Sequence, residues 1–264
     1  MKLQFFKYQG TGNDFIMIDN RSNKFSKNDT KLVNRLCDRK FGIGADGLIL
    51  LDNPENDEDD FKMVYYNADG NQSSMCGNGG RCLVAFAKQL GLINSEAKFT
   101  AIDGKHQAFI EDDMVRLQMQ DVSEIYHSGN ISFLDTGSPH HIVFTENIKA
   151  LDVKEEGAAI RYSRDYKENG TNVNFVEKTD EAHTFLVRTY ERGVEDETLA
   201  CGTGVTAVAI AAHYSERTTS NQVKLVVPGG ELTVSFKKEA EGYYDVWLKG
   251  PAEFVFKGEI ECSH

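Results

Sequence analysis

The sequence predicts an α/β (α+β) protein of two pseudo-symmetric domains, each a curved, mostly antiparallel sheet or barrel wrapped around one central helix. The first observation is a repeated motif, Cys-Gly-Asn-Gly at 76–79 and Cys-Gly-Thr-Gly at 201–204, with the two copies about half of the 264 residues apart. Each copy precedes an apolar, helix-like run. The second observation is that only Thr206 is polar among residues 205–212. Such a helix is buried on every side, so the strands of its half must surround it.

The first half, residues 1–121, contains two helix-like segments among strand-like runs. Residues 29–38 place their apolar side chains on one face, and a second helix runs from about Gly77 to Leu90, with Gly91 as its C-cap. Alternation of Val115, Leu117 and Met119 predicts the last strand. The other strands and apolar runs are expected at 3–8, 15–18, 48–51, 61–66, 98–102 and 107–110.

The second half, residues 122–251, repeats this order. Strands are expected at 131–134 and 142–144 around a turn at residues 138–141, followed by a helix at 153–162. Further strands at 172–176 and 184–190 lead to the second Cys-Gly-x-Gly helix, and strands at 223–227, 232–236 and 244–248 complete the sheet. Each helix N-terminus then points out of its sheet. We expect both at a cleft between the domains, where small-molecule sites tend to form.

Composition excludes several classes of function. The formal net charge of −12 argues against nucleic acid and anionic membranes, whose binding needs clustered Lys and Arg. The sequence has no run of 18 apolar residues, so no membrane span is expected. Residues 1–7 are too few and too charged for a signal peptide, which predicts a cytoplasmic location. The five cysteines lack disulfide-framework spacing, so we expect reduced thiols.

Cys76 and Cys201 are the candidate catalytic groups. A thiol titrates near pH 8.5, and the unpaired N–H groups and dipole of a helix N-terminus favour its thiolate. The same N–H groups can hold a carboxylate. Two matched thiols facing one α-carbon could therefore remove a proton from one face and return one to the other. No C-x-x-C pair is present, so neither a zinc site nor a thioredoxin-like motif is expected, and the glycine-rich loops lack the Lys-Ser/Thr of a P-loop. Cys37 and Cys82 are expected in the core.

Six motifs extend the argument to a family. These are Gly-Thr-Gly-Asn-Asp-Phe at 10–15, Gly-Ile-Gly-Ala-Asp-Gly at 42–47, Tyr-Asn-Ala-Asp-Gly at 66–70, Met-Cys-Gly-Asn-Gly-Gly-Arg-Cys at 75–82, Glu-Arg-Gly at 191–193 and Ala-Cys-Gly-Thr-Gly at 200–204. In this order they closely resemble the diaminopimelate epimerase family. The resemblance implies interconversion of LL- and meso-diaminopimelate on the route to lysine and peptidoglycan, with no pyridoxal phosphate or other cofactor and no metal. It also implies that residues 252–264 return to the first domain, and that the protein is a homodimer.

The resemblance assigns roles by position. Cys76 and Cys201 become the two catalytic thiols. The backbone cradle for the reacting carboxylate is formed by Gly77, Asn78, Gly202 and Thr203. Residues expected to bind the substrate, mostly at its distal end, are Asn13, Asn67, Asn172, Glu191 and Arg192.

Three departures from the family pattern concern residues that line the site. Gly47 stands where some members carry a Gln that contacts substrate, so that contact is lost or replaced. Ser138 stands where many carry an Asn, just before His140, which is expected either in a turn or lining the site. Residues 193–200 form a segment one residue longer than in some members.

Two other readings of the residues stay open. One is a cofactor-independent proline or hydroxyproline racemase with the same thiol pair, although Glu191, Arg192 and the asparagines favour a substrate charged at both ends. Relatives from phenazine pathways are expected to lack paired thiols. The other is an amino-acid-binding or redox-sensor protein that uses the thiols without isomerisation.

Overall fold

The computed structural model describes residues 2–73 and 75–262. Contacts divide the chain into two compact units: residues 1–117 with 250–264, and residues 118–249. The strands and helices of the first unit are β1 Lys2–Gly10, β2 Asn13–Asp19, α1 Thr30–Cys37, β3 Gly47–Asp52, β4 Phe61–Asn67, α2 Gly77–Gln89, β5 Glu96–Ala101, β6 Gly104–Glu111, β7 Met114–Gln118 and, from the end of the chain, β17 Glu253–Glu261.

The elements of the second unit follow in sequence. They are β8 Ile125–Ser128, β9 Ile131–Asp135, β10 Pro139–Phe144, a 3-10 turn Ile148–Ala150, α3 Val153–Arg161, β11 Asn172–Lys178, β12 Thr184–Glu191, β13 Asp196–Thr198, α4 Gly202–Tyr214, β14 Gln222–Val227, β15 Gly230–Glu239 and β16 Gly242–Pro251. The chain passes from this unit back to the first within β16, after Lys249.

The two units share one pattern of strand pairing. In the first, the order is β17-β1-β2-β3-β4-β5-β6-β7, with β2–β3 and β4–β5 parallel and the other pairs antiparallel. In the second, the order is β8-β9-β10-β11-β12-β14-β15-β16, with β10–β11 and β12–β14 parallel and the others antiparallel. The parallel pairs occupy the same places in both orders. The expectation of two pseudo-symmetric α/β units with mostly antiparallel sheets is therefore confirmed.

Each unit encloses one helix. In the first, α2 contacts β1–β4, β6 and β17, and in the second α4 contacts β9–β12, β14 and β15. Residues 204–212 of α4 are all buried, as the apolar sequence predicted. They form a core with side chains such as Phe185, Leu225 and Val234 from the surrounding strands. Cys37 and Cys82 are buried, as expected.

Helix α2 ends where the sequence indicated. Its last helical residue is Gln89, and Gly91 adopts a left-handed conformation with φ +73°. The N–H of Leu92 then donates to the carbonyl of Ala87, at 3.0 Å. Glycine at this position closes the helix without the steric cost that a side chain would carry.

Several expectations about the strands were wrong or incomplete. Residues 139–141 were expected in a turn, but Pro139 begins β10 and His140 pairs with Leu134 on β9 and Asn172 on β11. Proline is compatible with the first residue of a strand, where the missing N–H costs no ladder bond. Strands β8 and β13 were not predicted, because neither is longer than four residues or strongly apolar.

The start of β2 is held by an ion-pair cluster in which Lys7 is buried and Arg39 and Asp46 are exposed. Asp14 accepts from the Arg39 guanidinium at 2.7 and 3.0 Å, and the Lys7 ammonium lies 2.8 Å from the same carboxylate. Burial opposes ionisation of Asp14, but the hydrogen bonds from Arg39 and Lys7 outweigh it and lower the pKa of Asp14 to about 2. Asp46 joins the cluster, because it accepts from Arg39 at 2.8 Å. This cluster fixes the start of β2 against the loop that precedes β3.

The enclosed helix α4 should carry much of the stability of the second unit. We expect Ile210→Ala to lower the unfolding free energy by about 2–5 kcal/mol, because Ile210 is fully buried and its truncation leaves a cavity. Ile131→Ala is the matched control, since Ile131 is 39% exposed, and it should cost under ~1 kcal/mol. Urea unfolding monitored by circular dichroism measures both. Equal costs for the two variants would contradict the enclosed position of α4.

Candidate active site

Both motif cysteines lie at the N-caps of the enclosed helices. Cys76 precedes α2 with φ −108° and ψ 120°, and Cys201 precedes α4 with φ −122° and ψ 113°. The carbonyl of Cys76 accepts from the N–H of Gly80 at 2.7 Å, and that of Cys201 accepts from Val205 at 2.9 Å. The N–H groups of the intervening first-turn residues have no acceptor within a helix. Each cysteine is thus placed beside the partial positive charge of a helix N-terminus.

The thiol of Cys76 contacts the first residue of β2. Its Sγ lies 3.7 Å from Oδ1 of Asn13, and Nδ2 of Asn78 donates to the same oxygen at 3.3 Å. Nδ2 of Asn13 donates to Asp46 at 2.6 Å. Three residues predicted for the site, Asn13, Cys76 and Asn78, therefore come together. Asp46 was not predicted as a site residue, although it lies within the 42–47 motif.

Close packing explains the glycines that follow Cys76. A Cβ on Gly79 would lie 2.7 Å from Cδ1 of Ile49, and one on Gly80 would lie 2.4 Å from Cε of Met75. Both atoms are the far ends of flexible side chains, so a side chain at either glycine would require Ile49 or Met75 to move. The glycines therefore allow close packing around the first turn of α2.

A buried arginine follows these glycines. Arg81 is fully buried, and its guanidinium donates to Oγ1 of Thr11 at 2.8 Å and to the carbonyl of Gly77 at 3.3 Å. Burial lowers the pKa of Arg81. The contact with Thr11 ties α2 to the turn between β1 and β2. Burial also raises the pKa of the Cys82 thiol to about 12, so Cys82 stays protonated at neutral pH.

Gly47 and Asn67 lie opposite one another on the paired strands β3 and β4. A Cβ on Gly47 would lie 2.5 Å from the ring of Tyr65 and 2.6 Å from the carbonyl oxygen of Tyr66. A larger residue does not fit this backbone, so the Gln of other members has no room here. Asn67 is the last residue of β4 and is exposed.

The thiol of Cys201 contacts a different group. Its Sγ lies 3.5 Å from Oγ1 of Thr203, and that hydroxyl lies 3.0 Å from Nε2 of His140. The backbone carbonyl of Thr203 accepts from Thr136 at 2.9 Å. Burial, followed by the positive charge of Arg192, lowers the pKa of His140 to about 3. His140 is therefore a buried, neutral imidazole that contacts Thr203 in the first turn of α4.

The other predicted residues of this unit form a second group. The backbone N–H of Arg192 donates to Oδ1 of Asn172 at 2.9 Å, and Nδ2 of Asn172 donates to Oγ of Ser138 at 2.9 Å. The Arg192 guanidinium donates to the carbonyl of Asn169 at 2.8 Å and lies 3.5 Å from Oγ of Ser138. Ser138 thus contacts both Asn172 and Arg192, although it departs from the family pattern. Glu191 ends β12, as Asn67 ends the equivalent strand β4.

Sequence reasoning missed residues whose hydrogen bonds lead to the residues around the two cysteines: Thr11, Asp46, Arg81, Thr136, Asn174 and Thr189. Thr11, Asp46 and Arg81 lie within the recognised motifs, so their positions were available as a signal. Asn174 and Thr189 lie in ordinary strand sequence, where nothing distinguishes them. Residues 2–73 and 75–262 contain no group of three or more His, Cys, Asp or Glu arranged to hold a metal. In the same residues, no helix is both long and apolar enough to span a membrane.

Comparison with known proteins gives a consistent answer. The profile of the family described as diaminopimelate epimerase matches residues 5–125 and 132–255. The diaminopimelate epimerase of Flavobacterium psychrophilum is 58% identical over 98% of this chain and 100% of its own length, and that of Chlorobaculum tepidum is 44% identical over 95% and 98%.

Solved structures resemble the fold at much lower identity. A PhzF-family phenazine biosynthesis protein from Bacillus anthracis matches with a TM-score of 0.79 at 13% identity, over 99% of this chain and 100% of that one. A hydroxyproline epimerase from Agrobacterium vitis matches with a TM-score of 0.72 at 14% identity, over 98% and 92%. These two likenesses concern the fold, whereas the profile and the close relatives identify the family. The chain belongs to the diaminopimelate epimerase family.

Proposed function

We propose that the protein interconverts LL- and meso-2,6-diaminopimelate without a cofactor, as a step in the supply of lysine and peptidoglycan precursors. The observation that carries this proposal is the placement of Cys76 and Cys201. Each lies at the N-cap of the enclosed helix of its unit, in nearly the same backbone conformation. Membership of the family, with 58% identity to a full-length relative named diaminopimelate epimerase, supports the choice of substrate.

In the proposed mechanism the two cysteines act on opposite faces of one α-carbon. The thiolate of one removes the α-proton and becomes a thiol. The thiol of the other then donates its proton to the opposite face and becomes the thiolate. The configuration is inverted, and one thiolate and one thiol are present before and after. The reverse reaction exchanges the two roles.

The energetic demand of this step is large but within reach. The α-hydrogen of an amino acid is less acidic than a thiol by on the order of ten pKa units, which corresponds to roughly 14 kcal/mol. Enzymes typically supply ~8–23 kcal/mol. The first-turn N–H groups at Gly77, Asn78, Gly202 and Thr203 are proposed to stabilise charge that develops on the substrate carboxylate as the carbanion forms.

The distal end of the substrate carries an ammonium and a carboxylate. Arg192 offers a planar fork suited to the carboxylate, and contacts to Asn169 and Ser138 hold its guanidinium. Glu191 and the amide oxygens of Asn67 and Asn172 are proposed acceptors for the ammonium. Binding energy from this end positions the reacting carbon.

Proton NMR of LL-diaminopimelate in D₂O tests the activity directly. We expect the α-proton signal to disappear and the meso isomer to form, because the returned proton comes from solvent through a thiol. Cys76→Ala and Cys201→Ala should each reduce inversion at least ~100-fold, the usual contribution of an acid or base. Cys262→Ala removes a buried cysteine outside the motifs and should retain most activity.

Three outcomes would contradict the proposal. Inversion that survives in either motif variant would exclude the pair of thiols as acid and base. Exchange with L-proline but not with LL-diaminopimelate would favour the racemase alternative. Absence of any exchange with both thiols reduced would favour a binding or sensor protein.

Arg192 provides a separate test of substrate recognition. We expect Arg192→Lys to raise KM for diaminopimelate about 10–100-fold. The lysine ammonium cannot make the two parallel hydrogen bonds that a guanidinium makes to a carboxylate, and a charge-assisted hydrogen bond contributes ~1.5–3 kcal/mol. The value of kcat should change less. Arg164→Lys, at an exposed arginine of the same unit, is the control. Steady-state kinetics measures KM for both variants. An unchanged KM in Arg192→Lys would show that Arg192 does not bind the substrate.

We also propose a cytoplasmic homodimer. Five cysteines remain as thiols in the structure, which suits a reducing compartment. Strand β17 exposes Phe254, Val255 and Phe256, each between 44% and 52% exposed. Phe254 and Phe256 share one face of the strand and Val255 lies on the other, because successive strand side chains alternate. Exposed apolar side chains such as these are typical of an association surface.

Light scattering after size-exclusion chromatography tests this association. We expect a mass near twice the 29.5 kDa of the chain. Val255→Lys should shift the protein towards the monomer, because it places a charge in the apolar cluster. Lys257→Glu on the same strand changes charge without removing apolar surface and is the control. A monomer at micromolar concentration would refute the proposal.

A further inference from the structure

The orientation of one buried amide sets the hydrogen bonds that reach Cys201. Asn174 on β11 is fully buried, and its Nδ2 lies 3.4 Å from the backbone carbonyl of His141. A carbonyl oxygen only accepts, so the nitrogen of the amide must face it. The opposite atom, Oδ1, accepts from the hydroxyl of Thr189 at 3.0 Å, on the directly paired residue of β12. The amide therefore has one orientation.

This orientation determines the tautomer of His140. Nδ2 of Asn174 lies 3.1 Å from Nδ1 of His140 and donates to it, so Nδ1 carries a lone pair. Burial and the charge of Arg192 keep the ring neutral, which leaves its single N–H at Nε2. Nε2–H then donates to Oγ1 of Thr203, at 3.0 Å.

The last link is the hydroxyl of Thr203. Its oxygen already accepts from His140, so its own hydrogen is available for another acceptor. Sγ of Cys201 lies 3.5 Å from that oxygen. Donation by the hydroxyl favours a charged sulfur over a neutral one. The ionisable groups that act on this chain of bonds include His141, whose carbonyl contacts Asn174, and Arg192, whose charge acts on His140.

We propose that Asn174 is a positioning residue for the epimerase reaction: through His140 and Thr203 it directs a hydrogen bond onto Cys201 and makes that thiol more acidic. The proposal builds on the function proposed above, in which Cys201 exchanges protons with the substrate. Asn174 and Thr189 act by allowing only one direction of donation along the chain, from Thr189 to Cys201.

The pH dependence of alkylation measures this acidity without substrate. The rate at which iodoacetamide labels Cys201 is followed by mass spectrometry of the tryptic peptide 193–217, in which it is the one cysteine. A change in the accessibility of the sulfur multiplies the labelling rate by the same factor at every pH. The midpoint of the curve of rate against pH therefore reports the pKa of the Cys201 thiol. The alkylation measurement does not need turnover. The role of Asn174 can therefore be refuted while the epimerase activity holds, and the activity can be refuted while the role of Asn174 holds.

Four variants define the expected result. Thr203→Val should raise the midpoint by about one pH unit, since a hydrogen bond to a charged group is worth roughly that much. Thr203→Ser should restore it, and Asn174→Leu should raise it in the same direction as Thr203→Val. Thr206→Val removes a buried hydroxyl that bonds the carbonyl of Gly202 on the same helix, and should leave the midpoint unchanged.

Asn174→Asp provides a second measurement that keeps the shape of the buried side chain. A carboxylate only accepts, so it draws the ring hydrogen of His140 to Nδ1. The bare Nε2 then accepts from the Thr203 hydroxyl, which no longer donates to Cys201. Nitrogen-15 NMR of the imidazole should show the Nε2–H tautomer in the native protein and lose it in this variant. An Nδ1–H tautomer in the native protein, or an unchanged alkylation midpoint in Thr203→Val and Asn174→Leu, would overturn the proposal.

Discussion

Each unit must bury a helix while leaving the N–H groups of its first turn accessible to hydrogen-bond acceptors. The N–H groups of that turn have no acceptor inside the helix, and burying a polar group without a partner costs about 1–3 kcal/mol. The strands that enclose α2 and α4 therefore cover the body of the helix, and the cysteine, glycines and polar side chains gather at its N-terminus. The partial positive charge there suits a thiolate and a carboxylate. The same turn thus supplies a binding group and an acid or base.

The two cysteines occupy equivalent positions at the N-caps of α2 and α4, but their thiols face different hydrogen-bonding groups. Both units order their strands in the same directions, yet Cys76 faces an amide oxygen of Asn13, which only accepts. Cys201 faces a hydroxyl of Thr203 that the ordered chain behind it turns into a donor. The positive charge of buried Arg81 acts on Cys76 from its own helix. An internal duplication has therefore kept the geometry of the helix N-terminus while the two chemical environments diverged.

The sequence was informative where the physics is local. An apolar run after Cys-Gly-x-Gly predicted both enclosed helices, and strand alternation predicted most of the sheet. The short strands β8 and β13 were missed because so few residues carry too little periodicity. The turn expected at residues 138–141 was wrong, since pairing with β9 and β11 outweighs the turn preference of Ser-Pro. Asn174 and Thr189 gave no signal, because their role depends on cross-strand pairing that only the tertiary structure creates.

The departure at Gly47 shows how packing limits the substrate contacts open to this chain. A Cβ there would approach the backbone oxygen of Tyr66 to 2.6 Å, and backbone cannot move aside as the end of a side chain can. The pairing of β3 with β4 fixes that oxygen, because Leu48 lies opposite Tyr66 in the ladder. Asn67 lies directly opposite Gly47 in the same ladder, and it is the residue proposed above to accept from the substrate ammonium.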